Sequence, residues 1–232
     1  MAPSPSLRPA GFWQRSVAWS IDAALVAPLA LLLAQPWLGA PAQAWARQVQ
    51  ALLRLAGRAL GDALADGAPL ANLTATLLAA PGLREAIAAA HAATWSLAWP
   101  ALLAYAALGA GYHVACERSP WQGGIGKRVL GLRACDRHGR RVSIGRASLR
   151  HLAATLSWAT LNLGHLMAAW PPRHLALHDR CSGTRVVADS GPLPGWTWAW
   201  LGVLALAGLV ATTTLAGMAA AALRAALEQA MV

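Results

Sequence analysis

The stretch from Phe12 to Ala34 is apolar for the length of a membrane-spanning helix, yet it carries Arg15 near its start and Asp22 near its middle. A spanning helix needs about 20 mostly apolar residues, because its backbone amides must be satisfied internally once water is excluded. A carboxylate halfway along such a helix costs roughly 2.5–3.5 kcal/mol on insertion scales, so it faces a partner or water inside the bundle. Arg15 and Asp22 are seven residues apart. That spacing puts them on one helix face but about 10 Å apart along the axis, too far for a tight pair. Asp22 therefore needs another partner, and the search for it organises the chain.

Two further apolar runs reach spanning length, from about Ala93 to Cys116 and from Trp196 to Leu223. The chain is 57% hydrophobic and 12% charged, against about 25% charged for an ordinary soluble domain. The class is an all-α integral membrane protein. It reads as a helical bundle of three to four spanning segments with a small cytoplasmic β-hairpin loop. The uncertain fourth segment is 150–170, which is long enough to cross but carries Arg150, His151, Thr155, Ser157, Thr160, Asn162 and His165. If it crosses, the basic stretch 171–190 lies outside, against the rule that cytoplasmic loops collect Lys and Arg. A re-entrant hairpin that breaks near Asn162-Leu-Gly164 keeps that stretch inside and is the favoured reading.

Charge gives the orientation. Loop 117–149 holds eight Lys and Arg (Arg118, Lys127, Arg128, Arg133, Arg137, Arg140, Arg141 and Arg146) against Glu117 and Asp136. It is expected to be cytoplasmic, and so is the N-terminus, two crossings earlier. The expected location is the bacterial inner membrane. Within the loop, Val129–Cys135 and Arg141–Ile144 suit two strands around an Asp136-Arg-His-Gly139 turn. The organisation is then a cytoplasmic tail (1–11), a membrane domain (12–190) with an extracytoplasmic helical insert (42–94), and an added C-terminal spanning helix (196–223). The insert begins as an amphipathic helix over Gln43–Leu64 and breaks at Asp66-Gly-Ala-Pro69. A second short helix follows over Asn72–Ala80, and Pro81-Gly82 starts a third.

Several chemistries are excluded. The net charge of +10 comes without a nucleic-acid recognition motif. Gln122-Gly-Gly-Ile-Gly-Lys127 lacks the spacing and the following Ser/Thr of a P-loop. Cys116, Cys135 and Cys181 have no CxxC spacing and no His at ligand distance, so no metal or cofactor is expected. His174 and His178 sit at i, i+4 but lack a third ligand. No nucleophile–base pair is evident, so the chain is not read as an enzyme.

Gly11-Phe-Trp-Gln-Arg15, Ile21-Asp22, Gly124-Ile-Gly-Lys-Arg-Val-Leu-Gly-Leu-Arg133, Arg150 and Leu177-His-Asp-Arg-Cys-Ser-Gly-Thr-Arg-Val-Val187 occur in that order. Together they resemble the RDD family of bacterial multi-pass membrane proteins. The resemblance implies that the arginine and two aspartates of that family's name correspond to Arg15, Asp22 and Asp179. It also implies a link to transport of small solutes or ions, in some members sodium/proton exchange. The residues themselves suggest a polar cluster of Arg15, Asp22, Arg150 and Asp179 with His178 at its edge. Asp22 could exchange protons or hold a cation, or the charges could pair only to hold the fold. The first functional expectation is a carrier of a cation or small solute built on Asp22; so few spans suggest a homo-oligomer. The second is a non-transporting accessory module that binds anionic lipid or partner proteins through its basic loop.

Overall fold

The computed structural model describes residues 8–189 and 191–230; most of the expected cytoplasmic tail lies outside them. Nine α-helices and three short strands are present among the described residues. Helix α1 (Phe12–Ala34), α4 (Leu83–Arg118) and α9 (Trp196–Ala230) each contain a stretch long and apolar enough to cross a membrane. The chain packs as two units. One contains the chain up to Leu32 with Ala104–Leu201, and the other Leu33–Leu103 with the chain from Gly202 onward.

The second unit holds the insert. Helix α2 (Gly39–Ala65) ends at Asp66, and α3 (Leu73–Ala79) follows a short 3-10 turn. The separate third insert helix expected from the sequence is absent: α4 runs unbroken from Leu83. The reason is that only Pro100 interrupts the helix-forming residues of this stretch, and an interior proline kinks a helix without ending it when neighbours compensate. At 36 residues, α4 is about 54 Å long and exceeds the ~30 Å hydrocarbon core. Within this unit, Trp45 Nε1 of α2 donates to Thr94 Oγ1 of α4 at 3.1 Å.

The first unit carries the sheet. Strand β1 (Arg8–Pro9), β2 (Leu132–Asp136) and β3 (Thr184–Ala188) lie in the order β1-β3-β2, all antiparallel. The expected turn at Asp136–Gly139 is present, with one bridge between Cys135 and Arg141. The main partner of β2 is instead β3, some fifty residues later, paired from Leu132↔Ala188 to Asp136↔Thr184. The physical reason is burial. β3 pairs with all five residues of β2 and buries Val186, Val187 and Ala188 beside Leu132 and Ala134, whereas after the turn only Val142 packs on Ala134 before Ser143 caps the next helix and ends the extended chain. The core beneath the sheet comprises Ala10, Val17, Ala18, Leu130, Leu132, Val186 and Ala188, with Ile21, Trp200 and Leu201 against it.

Helix α6 (Ile144–Ala159) starts with Ser143 Oγ accepting from Arg146 N. It ends at Leu161 and Asn162, both with positive φ. The chain then reverses into α7 (Leu163–Leu166) and returns to α8 (Leu177–Ser182), which packs on α6. Gly164 permits this reversal, since a Cβ there would sit 3.0 Å from Cβ of both Ser157 and Leu177. Near the tip, the Trp158 ring packs edge-on to Trp19 of α1 at 6.0 Å. Trp19 is seven residues after Phe12, about 10 Å along the helix, so α6 turns back well short of crossing a ~30 Å core. Its exposed Leu149, Leu152 and Leu156 are spaced to face lipid. The segment is thus a helical hairpin that reverses at Leu161 and Asn162.

Two strands joined by hydrogen bonds lie on one side of a membrane. Since β3 pairs with both β1 and β2, Arg8–Pro9, Leu132–Asp136 and Thr184–Ala188 share a side. With Cys116 and Cys135 replaced, Cys181, which is exposed, and an introduced Arg140→Cys are expected to react with a membrane-impermeant maleimide from the same face of sealed vesicles. Opposite-face labelling would refute the pairing of β2 with β3.

Candidate functional site

Asp22 is buried on α1 and finds its partners in α4 and in a short helix, α5 (Ile125–Val129). Its Oδ1 accepts from the Tyr112 hydroxyl at 2.6 Å and from the Gly126 amide at 2.8 Å. The Tyr112 oxygen in turn accepts from the Ile125 amide at 2.7 Å. The first amides of any helix lack intrahelical acceptors, so a carboxylate and a phenol oxygen here satisfy donors that the membrane region would leave costly. The glycines make this approach feasible. A Cβ on Gly124 would stand 2.7 Å from Asp22 Oδ1, and one on Gly126 would run into the backbone carbonyl of Ala18. The sequence Gly-Ile-Gly-Lys therefore wraps a carboxylate of its own chain rather than a phosphate.

Asp179 lies in a different setting. It is fully buried in the first turn of α8, and its Oδ2 accepts from the Ala176 amide at 3.0 Å, closing that helix start. The same oxygen receives Arg15 Nη1 at 2.5 Å. Its Oδ1 receives Arg150 Nη1, which also donates to Thr184 Oγ1 at 2.8 Å. Arg15 is held from two more directions: Nε donates to the Ala10 carbonyl at 2.9 Å and Nη2 to the His174 carbonyl at 2.7 Å. Arg150 continues the chain of charges, its Nε 3.2 Å from Glu117 Oε1, which also takes Lys127 Nζ at 2.6 Å. Five charges of alternating sign thus join α5, α4, α6, α8 and α1 in one line: Lys127, Glu117, Arg150, Asp179, Arg15.

Electrostatics follow from that line. Burial alone would raise the Asp179 carboxyl, but the guanidinium charges of Arg150 and Arg15 outweigh it and hold the group below the usual carboxylate range. His178 Nε2 stands 3.6 Å from Asp179 Oδ1. Burial, followed by the charge of Arg150, pushes this imidazole well below its ordinary value, and its Nδ1 is buried without a hydrogen-bond partner among the described residues. His174 lies before the start of α8, with positive φ and its Nδ1 2.9 Å from the Ala168 carbonyl, so it and His178 do not share a helix as an i, i+4 metal pair would.

Of the residues singled out from the sequence, Arg15, Arg150, Asp179 and His178 come together. Asp22 does not join them. The seven-residue spacing on α1 sends the arginine to α8 and the aspartate to α5. Glu117, Lys127, Tyr112 and Thr184 also belong to these contacts; the sequence marks Tyr112 only as a polar residue of the second spanning helix and assigns none of the four to a site. Glu117 carries a signal, as one of only two acids in a loop of eight cations; Lys127 is one of those cations and lies in the glycine motif, and neither fact points to a buried pair.

Removing one partner of a buried ion pair leaves an uncompensated charge and costs about 3–5 kcal/mol, whereas exposed pairs contribute about 1 kcal/mol or less. Asp179→Asn is therefore expected to lower the thermal midpoint of the purified protein far more than Asp189→Asn, whose partner Arg133 is well exposed. Because the Asp179 carboxyl is held low, its contribution is complete above the ordinary carboxylate range and fades as pH falls below about 4. The Asn variant is expected to lose part of that acid sensitivity in melts run across pH. Separately, Gly126→Ala is expected to destabilise strongly and Gly145→Ala hardly at all, since a Cβ at Gly145 meets nothing within 4 Å; equal effects in the same melts would refute the Asp22–α5 packing.

Uncharacterized protein YxaI of Bacillus subtilis (strain 168) is 34% identical over 88 residues, which is 38% of this chain. The alignment spans 58% of that protein's length. No solved structure matches. The profile of the RDD family matches residues 9–183, a span that holds Arg15, Asp22, Arg150 and Asp179, and the chain belongs to the RDD family of bacterial membrane proteins.

Proposed function

We propose that the chain is an accessory module of the bacterial inner membrane that docks anionic lipid or partner proteins on a basic cytoplasmic face. The observation that carries this reading is the division of its charges. Both oxygens of Asp179 are already engaged by Arg15, Arg150 and the Ala176 amide, and Glu117 is paired with Lys127 and Arg150. Arg118, Arg128, Arg137, Arg140, Arg141 and Arg180 are exposed. The buried charges hold α5 and α8 to the membrane helices. The exposed ones supply net positive charge, which anionic headgroups attract at about 1 kcal/mol per residue near the surface. The excess of cations in loop 117–149 supports a cytoplasmic side for this face.

A second reading is a carrier of protons, sodium or a small solute centred on Asp22. It is favoured by one contact, the Tyr112 hydroxyl on the Asp22 carboxylate between two membrane helices. Transport through this group would require it to release Tyr112 and the Gly126 amide in each cycle. The two readings separate in proteoliposomes carrying an imposed pH or sodium gradient. The accessory module is expected to leave both gradients at the rate of empty liposomes. A faster loss that Asp22→Asn abolishes, in a variant that still melts cooperatively, would overturn it in favour of the carrier.

A further inference from the structure

Helix α5 sorts two adjacent cations to opposite sides. Lys127 turns inward to Glu117, and Gly123 leaves the space, because a Cβ there would lie 2.9 Å from Lys127 Cβ. Arg128, about 100° further round the helix, is exposed, with its guanidinium carbon 4.7 Å from the centroid of the Trp121 ring. Among the described residues that guanidinium has no carboxylate or hydrogen-bond partner. Stacking uses its flat face and leaves its N–H edge open, and that edge matches two oxygens of a phosphate.

Depth selects the source of the phosphate. Gly126 packs on the Ala18 backbone, six residues past Phe12 and so about 9 Å along α1. At that level the outward neighbours of Arg128 are apolar and exposed: Ile125 at 40%, Val129 at 55% and Trp121 at 45% of their full surface. Apolar side chains beside a tryptophan and an arginine fit the boundary between headgroups and acyl chains. We propose that Trp121, Ile125, Arg128 and Val129 form a docking site for one anionic phospholipid. Its phosphodiester lies on the open edge of Arg128, and its acyl chains lie against Ile125 and Val129.

The site rests on the accessory-module reading and gives that reading an address. Its test is native mass spectrometry of the full chain in micelles holding equal amounts of dioleoyl phosphatidylglycerol and dioleoyl phosphatidylcholine. The wild type is expected to retain phosphatidylglycerol preferentially. Arg128→Gln is expected to cut that preference about tenfold, the loss of one charge-assisted contact, and Trp121→Leu to cut it as well. Arg47→Gln, which changes an exposed arginine of α2 outside this basic face, is expected to leave it unchanged. Thermal melts confirm that each variant is folded. No preference in the wild type would overturn both the site and the lipid arm of the proposed function. A preference that survives Arg128→Gln would overturn the site alone. Displacement of the lipid by equimolar inorganic phosphate would also overturn it, by making it a free-anion site.

Discussion

The structure depends on one buried carboxylate held between two guanidiniums. Asp179 has no exposed surface, and Arg15 and Arg150 approach it from two different helices. Each ion alone would be costly to bury, and the arrangement is tolerable only because both oxygens, and most donors around them, are engaged. Arg15 is fixed by backbone carbonyls of Ala10 and His174, and Arg150 by Thr184 and Glu117. Since those partners come from Ala10 just after β1, the 171–176 stretch, β3 and α4, closing the ion line also draws the strands together. The three-stranded sheet is too short to persist alone. It forms because the helices beneath it are already tied together by charge.

Asp22 solves a separate problem with the same economy. A short helix has first amides without intrahelical acceptors, and that of Gly126 is buried. An aspartate on α1 and a tyrosine on α4 supply the missing acceptors, and two glycines bring the backbone within reach. Once α5 is seated there, its geometry dictates the fate of Lys127 and Arg128. One enters the buried line and the other stays outside over Trp121. The glycine-rich motif is therefore a packing device whose consequence is an oriented pair of cations.

Much of this was legible beforehand, and the limits have physical causes. The spanning runs, the break in 150–170 near Asn162 and the distance between Arg15 and Asp22 are local properties of hydropathy and helix pitch. The meeting of Arg15 with Asp179 followed from motif order and the family resemblance. The suggested cluster places Asp22 with Arg15, Arg150 and Asp179, whereas its partners are the Tyr112 hydroxyl and the Gly126 amide. A backbone amide and a phenol satisfy it equally well, and neither leaves a charge pattern to read. The β2–β3 pairing escaped for a similar reason: a nearby turn suggested a hairpin, while the apolar residues able to cover β2 lay far along the chain.

The sequence by itself determined that this chain enters the membrane, where it does so, and that two acids in its membrane domain would need partners. Those follow from the free energy of moving each residue type out of water, a quantity summed over short windows. Only the tertiary structure decided which partner each acid takes. That choice depends on which distant backbone can approach closely enough, and here Gly124, Gly126 and Gly164 control the approach.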